Sequence, residues 1–254
     1  MITAEHPNIK LRGAPGKLLN SVLNYKGDDV IREVLISGPG GTGKSFGILL
    51  AIYYLCTRYP GIHVLCVRKT RESMSVSTLV ELEKVLRLFG EPCVGQQVPQ
   101  NRSVYRLACG SEIVIGGLND PQRLYSTEWD IVYYEELTEE NDMAAWEEFY
   151  RGMRAFSHPD LKQQLMLATC NPRETQHWVY HRSHGGPMEY MESWHADNPK
   201  WHDGKAWTRK GRAYIEGLRR MTGVRYRRLY LGEWCNAEGM VWSEFEEATH
   251  VVDA

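Results

Sequence analysis

The stretch GPGGTGKS, residues 38–45, decides the fold of this chain. It fits the phosphate-binding pattern GxxxxGK[ST] at every position. It follows the apolar run Glu33–Ser37, which predicts a buried strand, and it opens Lys44–Arg58, where apolar residues recur at helical spacing. A strand before the glycines and a helix after them distinguish this motif from a chance glycine-rich turn. The sequence therefore predicts a phosphate cradle between a strand and a helix.

Each residue type in this loop suits the binding of a triphosphate. Glycines let successive backbone N–H groups turn toward anionic phosphates, and the helix N-terminus adds a partial positive charge. We expect Lys44 to reach the β- and γ-phosphates and the Ser45 hydroxyl to ligate Mg²⁺, so the expected ligands are ATP and Mg²⁺. The nucleotide-binding candidates in the loop are Gly38, Pro39, Gly40, Gly41, Thr42, Gly43, Lys44 and Ser45.

A pair of acids ends another apolar run. Residues 130–134, DIVYY, predict a buried strand, and Glu135 and Glu136 follow it. Ligands of open α/β sheets bind at the C-terminal ends of the strands, and adjacent strand residues point to opposite faces. We expect Glu135 to serve the Mg²⁺ shell and Glu136 to act as the catalytic acid–base group that polarises the attacking water. The alternative is an acid cluster that only stabilises the start of the following helix.

A polar end is also predicted for the next strand. The apolar run Gln164–Thr169 is followed by Asn171 and Pro172. A polar side chain here can contact the γ-phosphate or the attacking water, and Thr169 and Asn171 are the candidates. The alternative is a plain turn, because Asn-Pro favours turns.

The order of elements indicates an α/β fold, since strands that alternate with helices form parallel sheets covered on both faces. About ninety residues separate Lys44 from Glu135 and include another strand. This spacing predicts a strand inserted between the two motif strands, as in P-loop NTPases of the additional-strand, catalytic-glutamate type. The other predicted elements are a helix at Lys17–Tyr25, a strand at His63–Val67, a helix at Met74–Phe89, a hairpin of Ser103–Leu107 with Glu112–Ile115, and a helix at about Asp142–Phe156.

Composition narrows the class of protein. The chain has 254 residues, 43% of them hydrophobic, which is enough for one full α/β domain with an appendage. Its six cysteines are irregularly spaced, which argues against a zinc site or a disulfide framework and favours free thiols. The first residues contain no apolar signal-peptide core, and no run of about 18 apolar residues occurs, so we expect a cytoplasmic protein without a membrane span.

A change of composition after Gly185–Pro187 predicts a boundary. We expect an ATPase core at 1–185 and a smaller lid or linker subdomain at 186–254. The segment 209–228 holds eight basic residues and one acid, although the net charge of the whole chain is −2. Three interpretations stay open for it: a solvated helix face, a surface that follows DNA phosphates, and a contact with a neighbouring subunit.

These motifs together resemble the ATPase domain of phage large terminases, the motors that package DNA into procapsids. The resemblance runs from about residue 33 to the end. It implies translocation of double-stranded DNA driven by ATP hydrolysis, with the portal protein, the small terminase subunit and a homo-oligomeric ring as partners. The chain is expected to be a monomer in isolation and to act in the host cytoplasm, transiently at the procapsid portal. Besides the phosphate loop, the stretches that carry it are LYSTEWDIVYYEELTE (124–139), ATCNPRETQHWVY (168–180), SWHADNP (193–199) and YLGEWCNAEGMVWSEF (230–245).

The resemblance also implies two features that this sequence lacks or leaves open. The family carries a C-terminal nuclease domain, and the chain ends about where it should begin, so nuclease activity is not expected. The family uses an arginine finger, and Tyr125 stands closest to the usual place upstream of the acidic strand. Arg123 is the first candidate for the finger, with Arg102 and Arg154 as others. The competing functions are another motor ATPase of helicase type and a nucleotide-dependent switch with little turnover.

Overall fold

The computed structural model describes residues 11–75, 77–93, 104–119 and 121–236. Three parts of the predictions lie outside these ranges. They are the arginine-finger candidate Arg102, the residue Ser103 that begins the predicted hairpin, and the ends of the two predicted domains at 1–10 and 237–254. In the parts of the chain that the structure describes, no helix is long and apolar enough to cross a membrane.

The described residues form a seven-stranded sheet and nine α-helices. The strands are β1 (Val30–Ser37), β2 (His63–Arg68), β3 (Val104–Arg106), β4 (Glu112–Gly117), β5 (Ile131–Glu135), β6 (Gln163–Cys170) and β7 (Glu189–Glu192). The helices are α1 (Gly13–Leu23), α2 (Lys44–Arg58), α3 (Arg71–Ser75), α4 (Thr78–Leu88), α5 (Gln122–Tyr125), α6 (Ala144–Arg151), α7 (Trp178–His184), α8 (Arg209–Arg219) and α9 (Gly223–Tyr226).

The strands lie in the order β3-β4-β2-β5-β6-β1-β7. All described neighbours pair in parallel except β3 and β4, which form the predicted antiparallel hairpin. The predicted mainly parallel α/β fold is confirmed, and so is a strand between the two motif strands. Its identity differs from the prediction, however. The strand between the phosphate loop and the acids in sequence, β2, lies on the far side of β5, and the inserted strand is β6, which follows the acids.

The sheet separates two apolar cores, as the alternation along β5 illustrates. Ile131 and Tyr133 face one cluster, which includes residues of α1, α2 and α4, whereas Val132 and Tyr134 face the other, with residues of α5, α6 and α7. All four side chains are fully buried. Each fully buried aliphatic side chain contributes about 1.5–3 kcal/mol, so two-sided burial explains why this strand reads as an unbroken apolar run. The C-terminal end of β5 thereby receives a fixed position.

The helix predicted at Met74–Phe89 is wrong in one respect, because the structure has α3 and α4 with a break between them. Ser77 has non-helical backbone angles, and the hydroxyl groups of Ser77 and Thr78 both donate hydrogen bonds to the Glu135 carboxylate. Contacts to a distant strand thus override the local apolar periodicity. The predicted helices at 17–25 and 142–156 are present with shifted bounds, as α1 and α6.

The segment after residue 185 returns to the core. The predicted boundary between 185 and 186 stays a prediction, but β7, which belongs to the main sheet, lies after it and pairs with β1. Further along, Trp234 is buried in the second cluster, and the Cys235 N–H donates to the carbonyl oxygen of Arg173. The chain between these points passes over the phosphate loop.

Candidate nucleotide-binding site

The phosphate loop joins β1 to α2 in the predicted place. Gly43 caps α2 with a φ of 90°, in the left-handed region that favours glycine. Gly38 is needed for a different reason, since a Cβ there would lie 2.1 Å from the carbonyl oxygen of Ser193. The Ser193 hydroxyl also donates to the Thr42 hydroxyl over 3.0 Å. Close packing against the residues after β7 therefore shapes the loop.

Three side chains of the C-terminal segment hold the outward carbonyl groups of this loop. The Tyr214 hydroxyl donates to the Gly40 oxygen over 3.0 Å, while Asn198 Nδ2 and Trp201 Nε1 donate to the Gly41 oxygen over 2.8 and 2.7 Å. The Trp201 and Tyr214 rings stack with centroids 4.5 Å apart. Because each peptide plane is rigid, fixing its carbonyl outward also fixes the direction of the N–H of the next residue. We call Asn198, Trp201 and Tyr214 the carbonyl clamp.

Lys44 lies folded onto the loop. Its side chain is buried, and Nζ donates to the carbonyl oxygens of Gly38 and Pro39 over 2.7 and 2.8 Å and to Asn171 Oδ1 over 3.1 Å. Burial lowers the pKa of this ammonium, and the nearby Glu136 carboxylate opposes the shift. A buried cation held by neutral carbonyl groups is poised to exchange them for phosphate oxygens.

Glu136 lies directly after β5 in the left-handed helical conformation, with φ 55° and ψ 50°. This conformation costs a non-glycine residue on the order of 1 kcal/mol. Asn171 Nδ2 donates to Glu136 Oε1 over 3.4 Å, while its own Oδ1 accepts from Lys44. Burial raises the pKa of Glu136, with Lys44 acting in the opposite direction. The predicted residues Lys44, Asn171 and Glu136 therefore form one continuous polar chain.

Thr169 and Asn171 are the two predicted candidates at the end of β6. Only Asn171 is hydrogen-bonded to Lys44 and Glu136. Thr169 is buried, and its hydroxyl hydrogen-bonds the Tyr133 hydroxyl over 2.9 Å. Asn171 lies directly after the last residue of β6, where its amide reaches Lys44 and Glu136.

Glu135 is the last residue of β5 and is 3% exposed. Its Oε2 accepts from the Ser77 hydroxyl over 2.7 Å and from Thr78, and Arg68 Nη1 lies 3.6 Å away. Arg68 is in turn held by two hydrogen bonds to the Glu139 carboxylate. These hydrogen bonds and the nearby Arg68 guanidinium hold the buried Glu135 side chain in one orientation.

The residues near Glu135 fit a magnesium ion. Ser45 is the second residue of α2 and lines the cavity along the phosphate loop, and its side chain is close enough to Tyr133 to lower the pKa of that phenol. Tyr133 lies two residues before Glu135 on β5 and thus on the same strand face. A hydroxyl and a carboxylate are the hard oxygen donors that Mg²⁺ uses together with water and phosphate oxygens. Glu135 Oε2 accepts both hydroxyl hydrogen bonds, and among the described residues no hydrogen bond is formed to its Oε1, which is therefore the carboxylate oxygen available to a metal.

Two cavities meet at the polar chain. The first, of about 530 Å³, runs along the phosphate loop from Glu136 and Asn171 to Leu11, Pro15 and Trp201. The second, of about 490 Å³, shares Glu136 and Asn171 with the first and extends away from the loop. Its lining includes four arginines, which are Arg68, Arg173, Arg225 and Arg228.

Neither described candidate for the arginine finger lies next to the polar chain of Lys44, Asn171 and Glu136. Arg123 is exposed on α5 and lines neither cavity, so within this chain the structure does not bring it to Glu136. Arg154 is also exposed and pairs with Glu128. An exposed arginine can serve a neighbouring subunit, so the finger role stays a prediction for contacts between chains.

The basic segment also has a defined place. On α8 the basic side chains are exposed, while Gly211, Ile215 and Leu218 face the protein. Sequence reasoning missed that this segment supplies Tyr214 to the carbonyl clamp and arginines to the second cavity. The stretch SWHADNP (193–199) contributes to the family resemblance, but its sequence alone did not indicate that Ser193 and Asn198 contact the phosphate loop. The only local signal was the density of aromatic and polar residues after 193.

A phosphate loop, a glutamate pair on a strand two places away in the sheet, and an inserted strand that ends in a polar residue define a P-loop NTPase of the additional-strand, catalytic-glutamate type. Within that class, residues 32–233 match the family described as phage terminase large subunit. The match covers most of the chain, which therefore belongs to this family, and the predicted resemblance is confirmed.

Solved structures of phage terminases share the fold. The large terminase of a thermophilic bacteriophage is similar with a TM-score of 0.66 and 14% identity, covering 95% of this chain and 58% of that chain. The complex of the same terminase with ATP-gamma-S gives a TM-score of 0.64 at 14% identity, covering 95% of this chain and 57% of that chain. The ATPase domain of the Thermus phage P74-26 large terminase gives a TM-score of 0.50 at 16% identity, covering 85% of this chain and 92% of that chain.

The chain thus spans about 58% of the length of the first of these terminases. No curated protein sequence matches it.

Proposed function

We propose that this chain is the ATP-hydrolysing motor domain of a viral DNA-packaging terminase, which couples hydrolysis to the translocation of double-stranded DNA into a procapsid. The observation that carries the proposal is the polar chain from Lys44 through Asn171 to Glu136. It places a phosphate-binding cation and a candidate general base one side chain apart. A nucleotide switch needs the cation but not the base, so Glu136 favours turnover over mere binding.

Nucleotide binding would rearrange contacts that already exist in the loop. Lys44 Nζ exchanges the carbonyl oxygens of Gly38 and Pro39 for β- and γ-phosphate oxygens. The carbonyl clamp keeps the loop N–H groups directed inward while this happens. Ser45 and Glu135 would hold Mg²⁺, which neutralises charge on the β- and γ-phosphates when bound.

Glu136 would accept a proton from the attacking water. Its raised pKa makes it a better base than an exposed carboxylate, since base strength rises with pKa as long as the group stays deprotonated. Asn171, bonded to both Glu136 and Lys44, would hold the carboxylate toward the γ-phosphate and change its contacts when that phosphate leaves. This gives the end of β6 a means of reporting hydrolysis to the rest of the sheet.

The motor role rests on family membership. Membership of the large terminase family implies several partners, which are DNA, the portal protein, the small terminase subunit and identical chains that form a ring. It also implies the host cytoplasm as the place of action. The exposed basic face of α8 is a surface that DNA phosphates or a neighbouring subunit can contact. Arg123, exposed on α5, would serve the nucleotide of an adjacent subunit.

The experiment compares Glu136→Gln with Glu135→Gln. We expect Glu136→Gln to retain nucleotide and Mg²⁺ binding, because the amide keeps the size of the side chain, and to lose roughly 10²–10⁴ in hydrolysis rate, the usual effect of removing a positioned general base. Glu135→Gln should instead raise the Mg²⁺ concentration needed for half-maximal activity, in addition to lowering the rate. Calorimetry with Mg-ATP-gamma-S and a phosphate-release assay over a magnesium series provide both readouts.

Wild-type turnover in Glu136→Gln, combined with loss of turnover and an unchanged metal requirement in Glu135→Gln, would reverse the two roles. Unchanged turnover in both variants would remove both residue roles. Absence of hydrolysis by the wild-type chain despite Mg-ATP-gamma-S binding would remove the ATPase assignment and leave a binding module.

A further inference from the structure

The second cavity has no task in the hydrolysis described so far. It is separate from the phosphate loop, yet it shares Glu136 and Asn171 with the nucleotide cavity. An anion that passes these two residues from the side of Lys44 enters it directly. Its volume of about 490 Å³ exceeds the space that one tetrahedral oxyanion with its water shell needs.

The arginines of this cavity fall into two pairs. Arg68 is held by Glu139, and Arg228 is held by Glu174 and the Cys235 carbonyl oxygen. Arg173 and Arg225, by contrast, are exposed, and neither side chain forms an ion pair or a hydrogen bond with any residue that the structure describes. The first pair is structural, and the second pair is available to a ligand.

The position of the free pair adds a second argument. Arg173 follows Asn171 by two residues, just after β6, and its backbone carbonyl is anchored by the Cys235 N–H over 3.0 Å. Arg225 belongs to α9, on the segment that also supplies the carbonyl clamp. Two guanidinium groups from different parts of the chain therefore line one cavity next to the candidate base. Guanidinium groups bind phosphate oxygens with paired, charge-assisted hydrogen bonds.

We propose that Arg173 and Arg225 form a binding site for inorganic phosphate, which holds the product of hydrolysis after it leaves the phosphate loop. The inference rests on the proposed ATPase function. In that reaction the water oxygen bonds to the γ-phosphorus, the bond to the β–γ bridging oxygen breaks with its electron pair remaining on ADP, and the water proton passes to Glu136.

The test measures phosphate binding in two backgrounds. Inorganic phosphate is titrated calorimetrically into the Mg-ADP complex of the wild-type chain, of Arg173→Ala/Arg225→Ala, and of Lys17→Ala/Lys26→Ala. The last variant removes two exposed lysines and thus the same charge away from the cavity lining. We expect phosphate binding to wild type and control, and an affinity on the order of tenfold lower or worse in the double arginine variant. An Arg173→Lys/Arg225→Lys variant should recover part of the loss.

A second background separates this site from the nucleotide site. In Lys44→Ala without nucleotide the phosphate loop lacks its cation, so any phosphate binding that remains should depend on Arg173 and Arg225. Affinity for Mg-ADP is measured independently, and its absence would count against the proposed function alone.

Several results would overturn the proposal. Equal phosphate affinity in all variants, no binding by wild type, or binding that Mg-ADP abolishes would each exclude a second site. Release of bound phosphate by a short DNA duplex would assign the arginines to the DNA backbone. A loss of roughly 10³-fold or more in the single-turnover chemical step of the arginine variant would instead make these residues transition-state groups for the γ-phosphate.

Discussion

Tyr214→Phe is a selective perturbation of the carbonyl clamp. The substitution removes only the hydroxyl that donates to the Gly40 oxygen over 3.0 Å, and it keeps the ring that stacks on Trp201. Tyr214 is the only described side chain that donates to the Gly40 oxygen, whereas the Gly41 oxygen has two donors, Asn198 and Trp201. The Gly40 peptide should therefore be the one that loses its fixed orientation.

The magnitude follows from the worth of one hydrogen bond. A neutral hydrogen bond contributes about 1 kcal/mol net, and 1.4 kcal/mol corresponds to a tenfold change in affinity. If the full effect falls on the orientation of the loop, the Kd for Mg-ATP-gamma-S rises about fivefold. Asn198→Ala should have a smaller effect, because Trp201 still donates to the same oxygen. Both effects are small beside the loss of Lys44.

Calorimetry with Mg-ATP-gamma-S measures the change, and thermal unfolding without nucleotide checks that the variants fold. The matched control is Tyr226→Phe, in the same segment, whose ring lies against Tyr230 and whose hydroxyl has no hydrogen bond with the described residues. We expect the control to bind as wild type does. Equal affinity of Tyr214→Phe and wild type, or an equal loss in Tyr226→Phe, would refute the idea that the clamp orients the loop.

Three further predictions concern the same site. Lys44→Ala should abolish tight triphosphate binding, because it removes the buried cation that reaches the β- and γ-phosphates; calorimetry that shows unchanged ATP affinity would contradict this. Hydrolysis should be lost on acidification at a pH above 4.5, the ordinary pKa of a carboxyl group, because burial raises the pKa of Glu136 and the base works only when deprotonated. A pH–rate profile measures this, and the residual activity of Glu136→Gln should not show the acidic loss. ATP turnover per chain should be slow in dilute wild-type protein and rise with protein concentration, since an arginine supplied by a neighbouring subunit raises the rate by roughly 10³–10⁵. Arg123→Ala should not show this rise, and fast turnover by a proven monomer would contradict the prediction.

The phosphate loop, the acid pair and the polar end of β6 are all readable from the sequence, and the family resemblance follows from them. These features depend on short runs of adjacent residues. Gly43 can adopt its positive φ because it is a glycine, the apolar residues of β5 are buried on both faces of the sheet, and the two acids come at the end of that strand. Such features are encoded locally, because backbone conformation and strand burial respond to neighbouring residues. Parallel pairing of the strands then brings their C-terminal ends to one edge.

Only the tertiary structure decided how these parts are connected. The position of β6 between β1 and β5, the helix break that brings Ser77 and Thr78 to Glu135, and the Tyr214 contact with Gly40 join residues that lie far apart in the chain. The separation of paired from unpaired arginines in the second cavity has the same origin. Contacts of this kind depend on which surfaces pack together, and a short stretch of sequence carries no record of its distant partner. The sequence alone therefore determined the chemistry available to this protein, and the packing of the segment after β7 determined which side chains reach it.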